Sequence, residues 1–262
     1  MGGPFAEGSK DPSSIPDAPP SGKPALLEGP FHRVAVLFQN DDLIALDKPE
    51  KLASIPERNP RKPSLLTLLG ECTARRWYVV HRLDKDVSGV ILFAANAPAH
   101  RHLCRLFETR RIRKSYLALV HGRIEPAAAT IDLPLRRFGS GRMAVDVAAG
   151  KPCRTDYEVC ERISGFTLVD VRPHTGRKHQ IRAHLFSRGH PVAGDRLYGD
   201  KAVQARFPRL MLHARCLEFE DPHGDPLRIE SPVPETFAAV LRRLREEGPP
   251  LRPPQAAEPT GR

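Results

Sequence analysis

The chain has 262 residues, of which 40% are apolar and 27 are proline, and it carries a formal net charge of +10. No stretch approaches the 18 apolar residues of a membrane-spanning helix. The five cysteines (Cys72, Cys104, Cys153, Cys160, Cys216) contain no C-x-x-C pair, which argues against a zinc ribbon or a disulfide framework and for reduced thiols in a cytosol. Residues 1–28 sum to −2 and residues 245–262 to zero, which puts +12 on the chain between them and points to a polyanionic partner, nucleic acid first. The N-terminus lacks a charged-then-apolar signal pattern, residues 1–28 lack Arg, and Met1-Gly2 is not followed by Ser or Thr at position 6. A cytoplasmic protein with no membrane partner is expected.

In chain order, residues 1–28 are rich in Pro, Gly and Ser and read as a disordered tail, with one folded domain over 29–247 and a second disordered tail over 248–262. Val34 to Phe38, a turn at Asn40-Asp41-Asp42, and Leu43 to Leu46 read as strand, turn, strand. Asp47-Lys48-Pro49 follows, with Lys48 read as a solvated strand end. Pro56, Pro60 and Pro63 mark a loop, after which Ser64 caps a short helix carrying Leu65, Leu68 and Leu69.

Tyr78 to Val80 and Val90 to Phe93 read as strands flanking the polar stretch from His81 to Gly89. That stretch holds Asp84, Asp86, Arg82 and Lys85, more charge than a simple reversal of direction needs. It reads either as a solvated hairpin loop or as a catalytic loop held by a rigid scaffold. Asn96 and Pro98 open a helix with Leu103, Leu106 and Phe107 on one face and Arg101 and Arg105 on the other. It runs into Arg110, Arg111, Arg113 and Lys114, a solvated face or a phosphate track. Lys114 to Gly122 reads as a strand, with Tyr116, Ala118 and Val120 on one side.

Residues 123–150 read as an irregular excursion broken by Pro126, Pro134, Gly139, Gly141 and Gly150, and Gly139-Ser140-Gly141 is too short a motif for a dinucleotide site. Strands are predicted over Thr155 to Val159 and Phe166 to Val171. Thr175 is a plausible N-cap for a helix starting at Arg177. His174, His179 and His184 are five apart, displaced by roughly 140° each on a helix, so they do not face one metal ion. A turn-rich loop covers Pro191 to Gly199, Leu210 to Phe219 ends as a strand, and a turn at His223-Gly224-Asp225-Pro226 leads to Leu227 to Glu230 in a hairpin. Pro234 opens a last helix with Phe237, Val240, Leu241 and Leu244 at helical spacing, stopped at Gly248-Pro249-Pro250. No helix face shows surplus apolar surface, so a monomer is expected.

His81-Arg82-Leu83-Asp84 followed by Ser88-Gly89 resembles the H-R-L-D-x-x-T-S-G motif of RluA-type pseudouridine synthases, with Val87 where the family usually has Thr. Lys114 and Tyr116, followed by apolar residues and Gly122, resemble the second family motif. Thr175-Gly176-Arg177, His179-Gln180-Ile181-Arg182 and His184 resemble the third, and Lys48-Pro49, Gly194-Asp195 with Tyr198-Gly199, and Leu212-His213-Ala214 resemble minor elements. Together they span roughly residues 40 to 235. The resemblance implies an α+β fold, a mixed and mainly antiparallel sheet flanked by helices with a central RNA-binding cleft, of the branch without an S4 domain. It implies an isomerase that breaks the bond from ribose C1′ to uracil N1, turns the base and rejoins ribose to C5, with no cofactor and no metal. Asp84 matches the catalytic carboxylate, a nucleophile or a base on the sugar. Tyr116 is expected against the uracil, taking part in removal of the C5 proton, and Arg182 is expected to pair with Asp84, since a cationic partner favours a charged carboxylate. RNA contacts are expected from Arg82, Arg113, Lys114, Arg177 and Lys178, and support of the loop from His81, Ser88, Gly89 and His184. The RNA would be structured, ribosomal or transfer, and its target uridine would have to leave its stack.

Two other classes stay open on the residues alone. An RNA-binding or ribosome-assembly factor could carry these residues without needing the chemistry. A glycoside or nucleoside hydrolase could use Asp84 and Asp86, which in an extended segment point the same way at about 6.5–7 Å.

Overall fold

The structure, a computed structural model, describes residues 25–28, 33–59, 62–139 and 141–247. Its strands are β1 (Leu26–Glu28), β2 (Arg33–Gln39), β3 (Leu43–Lys48), β4 (Tyr78–Val79), β5 (Ser88–Ala94), β6 (Arg113–His121), β7 (Ala128–Asp132), β8 (Leu135–Arg137), β9 (Met143–Val145), β10 (Arg154–Ile163), β11 (Phe166–Pro173), β12 (Leu212–Glu220) and β13 (Pro226–Glu230). Its helices are α1 (Leu65–Thr73), α2 (Ala97–Glu108), α3 (Gln180–Ser187), α4 (Lys201–Gln204) and α5 (Glu235–Glu246).

One large sheet runs in the order β1-β2-β3-β5-β12-β6-β11-β10-β7, with β4 added beside β5 and β13 beside β12. Its pairings are antiparallel except that of β5 with β12, which is parallel, so the fold is α+β with a mixed, mainly antiparallel sheet. The core follows the sheet's centre. All seven residues of β5 are buried, as befits a strand covered on both faces rather than one with a wet side. Helix α2 begins at Asn96, whose side chain accepts from the Ala99 N–H, and buries Ala99, Leu103 and Leu106 while Arg101 and Arg105 stay exposed. Ser64 caps α1 in the same way, and Pro234 precedes α5, which buries Phe237, Val240, Leu241 and Leu244.

Four sequence expectations are corrected. The predicted N-terminal tail lies outside the described residues except at its end, where Leu26–Glu28 pairs with Arg33–Ala35 because Leu27 inserts into the core; the C-terminal tail lies outside them altogether. The excursion over 123–150 contains β7, which pairs along β10, and the separate β8–β9 hairpin. Backbone pairing with a neighbour, and not local propensity, makes these short Pro- and Gly-flanked runs into strands. Helix α3 starts at Gln180, not Arg177, after an N-cap at His179 with φ +52. Lys48, read as solvated, is fully buried.

Candidate active site

The stretch from His81 to Val87 has no regular structure apart from a tight turn closed by the Val87 N–H donating to the Asp84 carbonyl at 3.1 Å. Buried polar groups hold it at nearly every second residue. His81 Nε2 accepts from the Leu92 N–H at 2.9 Å, and its ring stacks on Phe107. Burial, with the charge of Lys114 adding to it, pushes the His81 imidazole down to about 3, so it stays neutral and able to accept. Ser54 Oγ donates to the Leu83 carbonyl at 2.9 Å and accepts from the Leu83 N–H at 3.1 Å. Lys48 Nζ donates to the carbonyls of Lys85, Leu52 and Pro49 at 3.0, 2.7 and 2.8 Å. Burial pushes the Lys48 amine down to about 7, and the three carbonyls that accept from it are the physical reason a Lys stands inside the core here. Ser88 Oγ accepts from Arg209 Nη2 at 2.6 Å and donates to His213 Nδ1 at 2.9 Å. Gly89 follows at φ +118, where a Cβ would lie 2.1 Å from the Ala214 carbonyl oxygen. Only a residue without a side chain lets β5 approach β12 this closely.

Arg182 comes from the first turn of α3. Its Nη1 donates to Asp84 Oδ2 at 3.0 Å, and its Nε and Nη2 donate to Asp195 Oδ2 and Oδ1 at 2.6 and 2.8 Å. Burial alone would lower this guanidinium, but the two carboxylates overcome that penalty and hold it above its ordinary value. Asp195 also accepts from the backbone N–H groups of Leu197 and Tyr198. The segment before α3 wraps around Gln180, whose Oε1 accepts from the Thr175 hydroxyl and the Arg177 N–H while its Nε2 donates to the Arg154 carbonyl and the Thr155 hydroxyl. Thr175 therefore bonds a side chain instead of capping a helix. The three histidines go to separate places: His174 to Asp156, His179 to the neighbourhood of Asp84, and His184 to Thr155 and the Leu133 carbonyl.

These elements enclose an open cavity of about 460 Å³, within the range of a small-ligand site. Asp84, Tyr116, Arg182, Arg82, Lys114, Arg177 and His81 all line it. Arg113 and Lys178 are exposed but do not line it, and Ser88, Gly89 and His184 are buried behind it. Asp86 is exposed and outside the lining, and because residues 84–87 form a turn, the two carboxylates do not share the extended spacing that a paired-acid reading requires.

Arg82 and Arg177 on the wall are exposed, whereas Tyr116 is half-buried. Burial, with the charge of Asp84 adding to it, raises Tyr116 above its ordinary value, so its hydroxyl keeps its proton at neutral pH. Lys114 donates to the Thr175 carbonyl at 3.1 Å and is pushed down to about 8 by burial and by Arg110. Val87, in the place of the family Thr, is buried and packs into the core, leaving Ser88 and Lys48 to hold the loop.

Four residues of this arrangement went unassigned in the sequence: Lys48, Asp195, Arg209 and His179. Asp195 lay within a Gly-Asp-x-x-Tyr-Gly run that reads as a turn-rich loop and resembles a minor family element, with no role given to its carboxylate. Nothing local marks Arg209, which reaches Ser88 across 121 positions.

A family model described as RNA pseudouridylate synthase matches residues 42–187. The ribosomal large subunit pseudouridine synthase D of Nitrosomonas europaea is 40% identical over 225 residues, 80% of this chain and 65% of that protein. The dual-specificity RNA pseudouridine synthase RluA of Escherichia coli K12 is 38% identical over 209 residues, 76% of this chain and 93% of that protein. The chain thus spans just under two thirds of the first relative and nearly all of the second. Among solved structures, human RNA pseudouridylate synthase domain containing 4 superposes with a TM-score of 0.68 at 27% identity, over 80% of this chain and 92% of that one.

Proposed function

This chain belongs to the RNA pseudouridylate synthase family, and from that premise we propose that it isomerises uridine to pseudouridine in structured RNA with Asp84 as its catalytic carboxylate. The observation that carries the assignment is the Asp84–Arg182 ion pair at 3.0 Å, set in a cavity that also presents Tyr116 and a basic rim.

The reaction breaks the C1′–N1 bond, and the bond's electron pair leaves with the base. One carboxylate suffices, whether it adds to the sugar or removes a proton from it, and Arg182 keeps that carboxylate aimed into the cavity. The base then turns and its C5 bonds to C1′, after which the proton on C5 must go. Tyr116 keeps its own proton, so its part in that step is a relay: the phenol oxygen takes the C5 proton as its own hydrogen passes to water in the open cavity. Arg82, Lys114 and Arg177 line the cavity, which supports assigning them to the phosphates of an extruded nucleotide. Ribosomal or transfer RNA is the substrate class we favour, acted on by a monomer in the cytoplasm. The names of the two bacterial relatives, one a large-subunit enzyme and one of dual specificity, support that class.

The test is a map of pseudouridine in total RNA from cells with and without the gene. At least one uridine should lose its modification in the absence of the gene. Identical maps would reject the activity and favour a binding or assembly role.

A further inference from the structure

We propose that His179 is a further catalytic residue: a neutral imidazole, held by Tyr198 in the tautomer with its proton on Nε2, that donates a hydrogen bond to a carbonyl oxygen of the uracil as base and ribose separate. The inference rests on the isomerase reading above.

His179 lines the cavity on the same side as Asp84, with its Nε2 3.8 Å from Asp84 Oδ2 and its side chain only 11% exposed. Its backbone sits at φ +52, a region that side-chain-bearing residues rarely occupy and that persists only where the surroundings impose it. A glycine would adopt that geometry without strain, so the imidazole stands there at a backbone cost that His179 shares with Lys51, Ala74, Arg110 and Ser164.

The tautomer follows from the partners. Tyr198 Oη accepts from the Met143 N–H at 2.8 Å and lies 3.3 Å from His179 Nδ1. The Tyr198 hydrogen can point at Nδ1, and the carboxylate on the Nε2 side favours the ring proton on Nε2, so this is the tautomer assigned. The opposite tautomer would aim a nitrogen lone pair at the Asp84 carboxylate. At 3.8 Å the Nε2–H is beyond hydrogen-bond reach of Asp84, so a ligand oxygen can take it. Burial first, then the nearby charges of Arg182 and Lys178, hold the ring below its ordinary value against the opposing pull of Asp84 and Asp195.

The chemistry calls for such a donor. When the C1′–N1 pair leaves with the base, its negative charge spreads over N1 and the two carbonyl oxygens. Arg182 spends three of its five N–H donors on Asp195 and Asp84, whereas the His179 Nε2–H is tied to no carboxylate at hydrogen-bond distance. A neutral N–H stabilises the departing anion without neutralising the carboxylate beside it, and no proton leaves His179 in the step.

The experiment compares wild type, His179→Gly and His179→Asn on unmodified ribosomal and transfer RNA transcripts from the source organism. Glycine suits the left-handed backbone, so His179→Gly should fold and bind RNA as wild type does, while kcat falls by about a hundredfold; His179→Asn, which also tolerates that backbone and carries an amide N–H, should recover part of the loss. Independently, nitrogen NMR of histidine-labelled enzyme should find His179 protonated at Nε2, with that preference lost in Tyr198→Phe. Full activity in His179→Gly beside an active wild type, or a wild-type ring protonated at Nδ1, overturns the inference alone. A wild type that modifies neither transcript overturns the isomerase reading and this inference with it.

Discussion

Asp195 takes two of the three hydrogen bonds that Arg182 makes to carboxylates, leaving one guanidinium nitrogen, Nη1, for Asp84. The orientation of the catalytic pair is therefore set by a carboxylate that faces away from the cavity and is fully buried. Asp195→Asn removes the charge but nearly keeps the shape. It should cost about 3–5 kcal/mol of stability, as breaking a buried ion pair does, and lower kcat more than it weakens RNA binding, measured by denaturant unfolding and single-turnover kinetics. Unchanged kcat with lowered stability would mean that Arg182 needs no orienting partner.

Lys48 offers a second way to disturb the loop from behind. Replacing it with Met keeps much of the volume and strips the donor from the carbonyls of Pro49, Leu52 and Lys85. Unsatisfied buried carbonyls cost about 1–3 kcal/mol each, so Lys48→Met should unfold at markedly lower denaturant. At temperatures where it remains folded, its turnover should also fall, because the residue after Asp84 has lost its anchor.

Much of this was legible in advance, and the pattern of what was missed is physical. Ser64, Asn96 and the spacing of α5 announced three helices because caps and periodicity are local signals. Asp84, Tyr116 and Arg182 were legible through their motifs, and the fold brings all three to one cavity. Lys48 was misread because a charged residue at a strand end is ordinarily wet; its three carbonyl partners come from the segment after it and from the loop before β5, which no local pattern reveals. The start of α3 was misplaced because Thr175 had a capping residue's chemistry but spent it on Gln180. Strand β7 was missed because its pairing with β10 lies in the tertiary structure.

The neutral, half-buried His81 gives a pH dependence with a definite sign. Its folded-state value is about 3 against an ordinary 6.5. Between those values the unfolded chain binds a proton that the folded chain refuses, so its contribution to stability is full above 6.5 and is lost as pH falls toward 3. His81→Gln should flatten the stability–pH curve over that window by up to one proton. His213, pushed down to about 4 chiefly by burial, should leave part of the slope in place. Parallel curves for variant and wild type would place the acid sensitivity elsewhere.

The basic rim makes its own forecast. RNA affinity should fall steeply with salt, and Arg82→Ala and Arg177→Ala, at exposed positions lining the cavity, should each reduce the slope of log K against log salt by about one if each contacts a phosphate. A variant whose affinity drops with no change in slope would be contacting a base or sugar instead.

The most direct measurement is pseudouridine formation by Asp84→Asn on RNA that the wild type modifies, with binding measured alongside. The carboxylate's place beside Arg182 requires that the variant fold, bind that RNA and form no pseudouridine. Product formed at a rate near that of the wild type would contradict the assignment of Asp84 as the reacting acid.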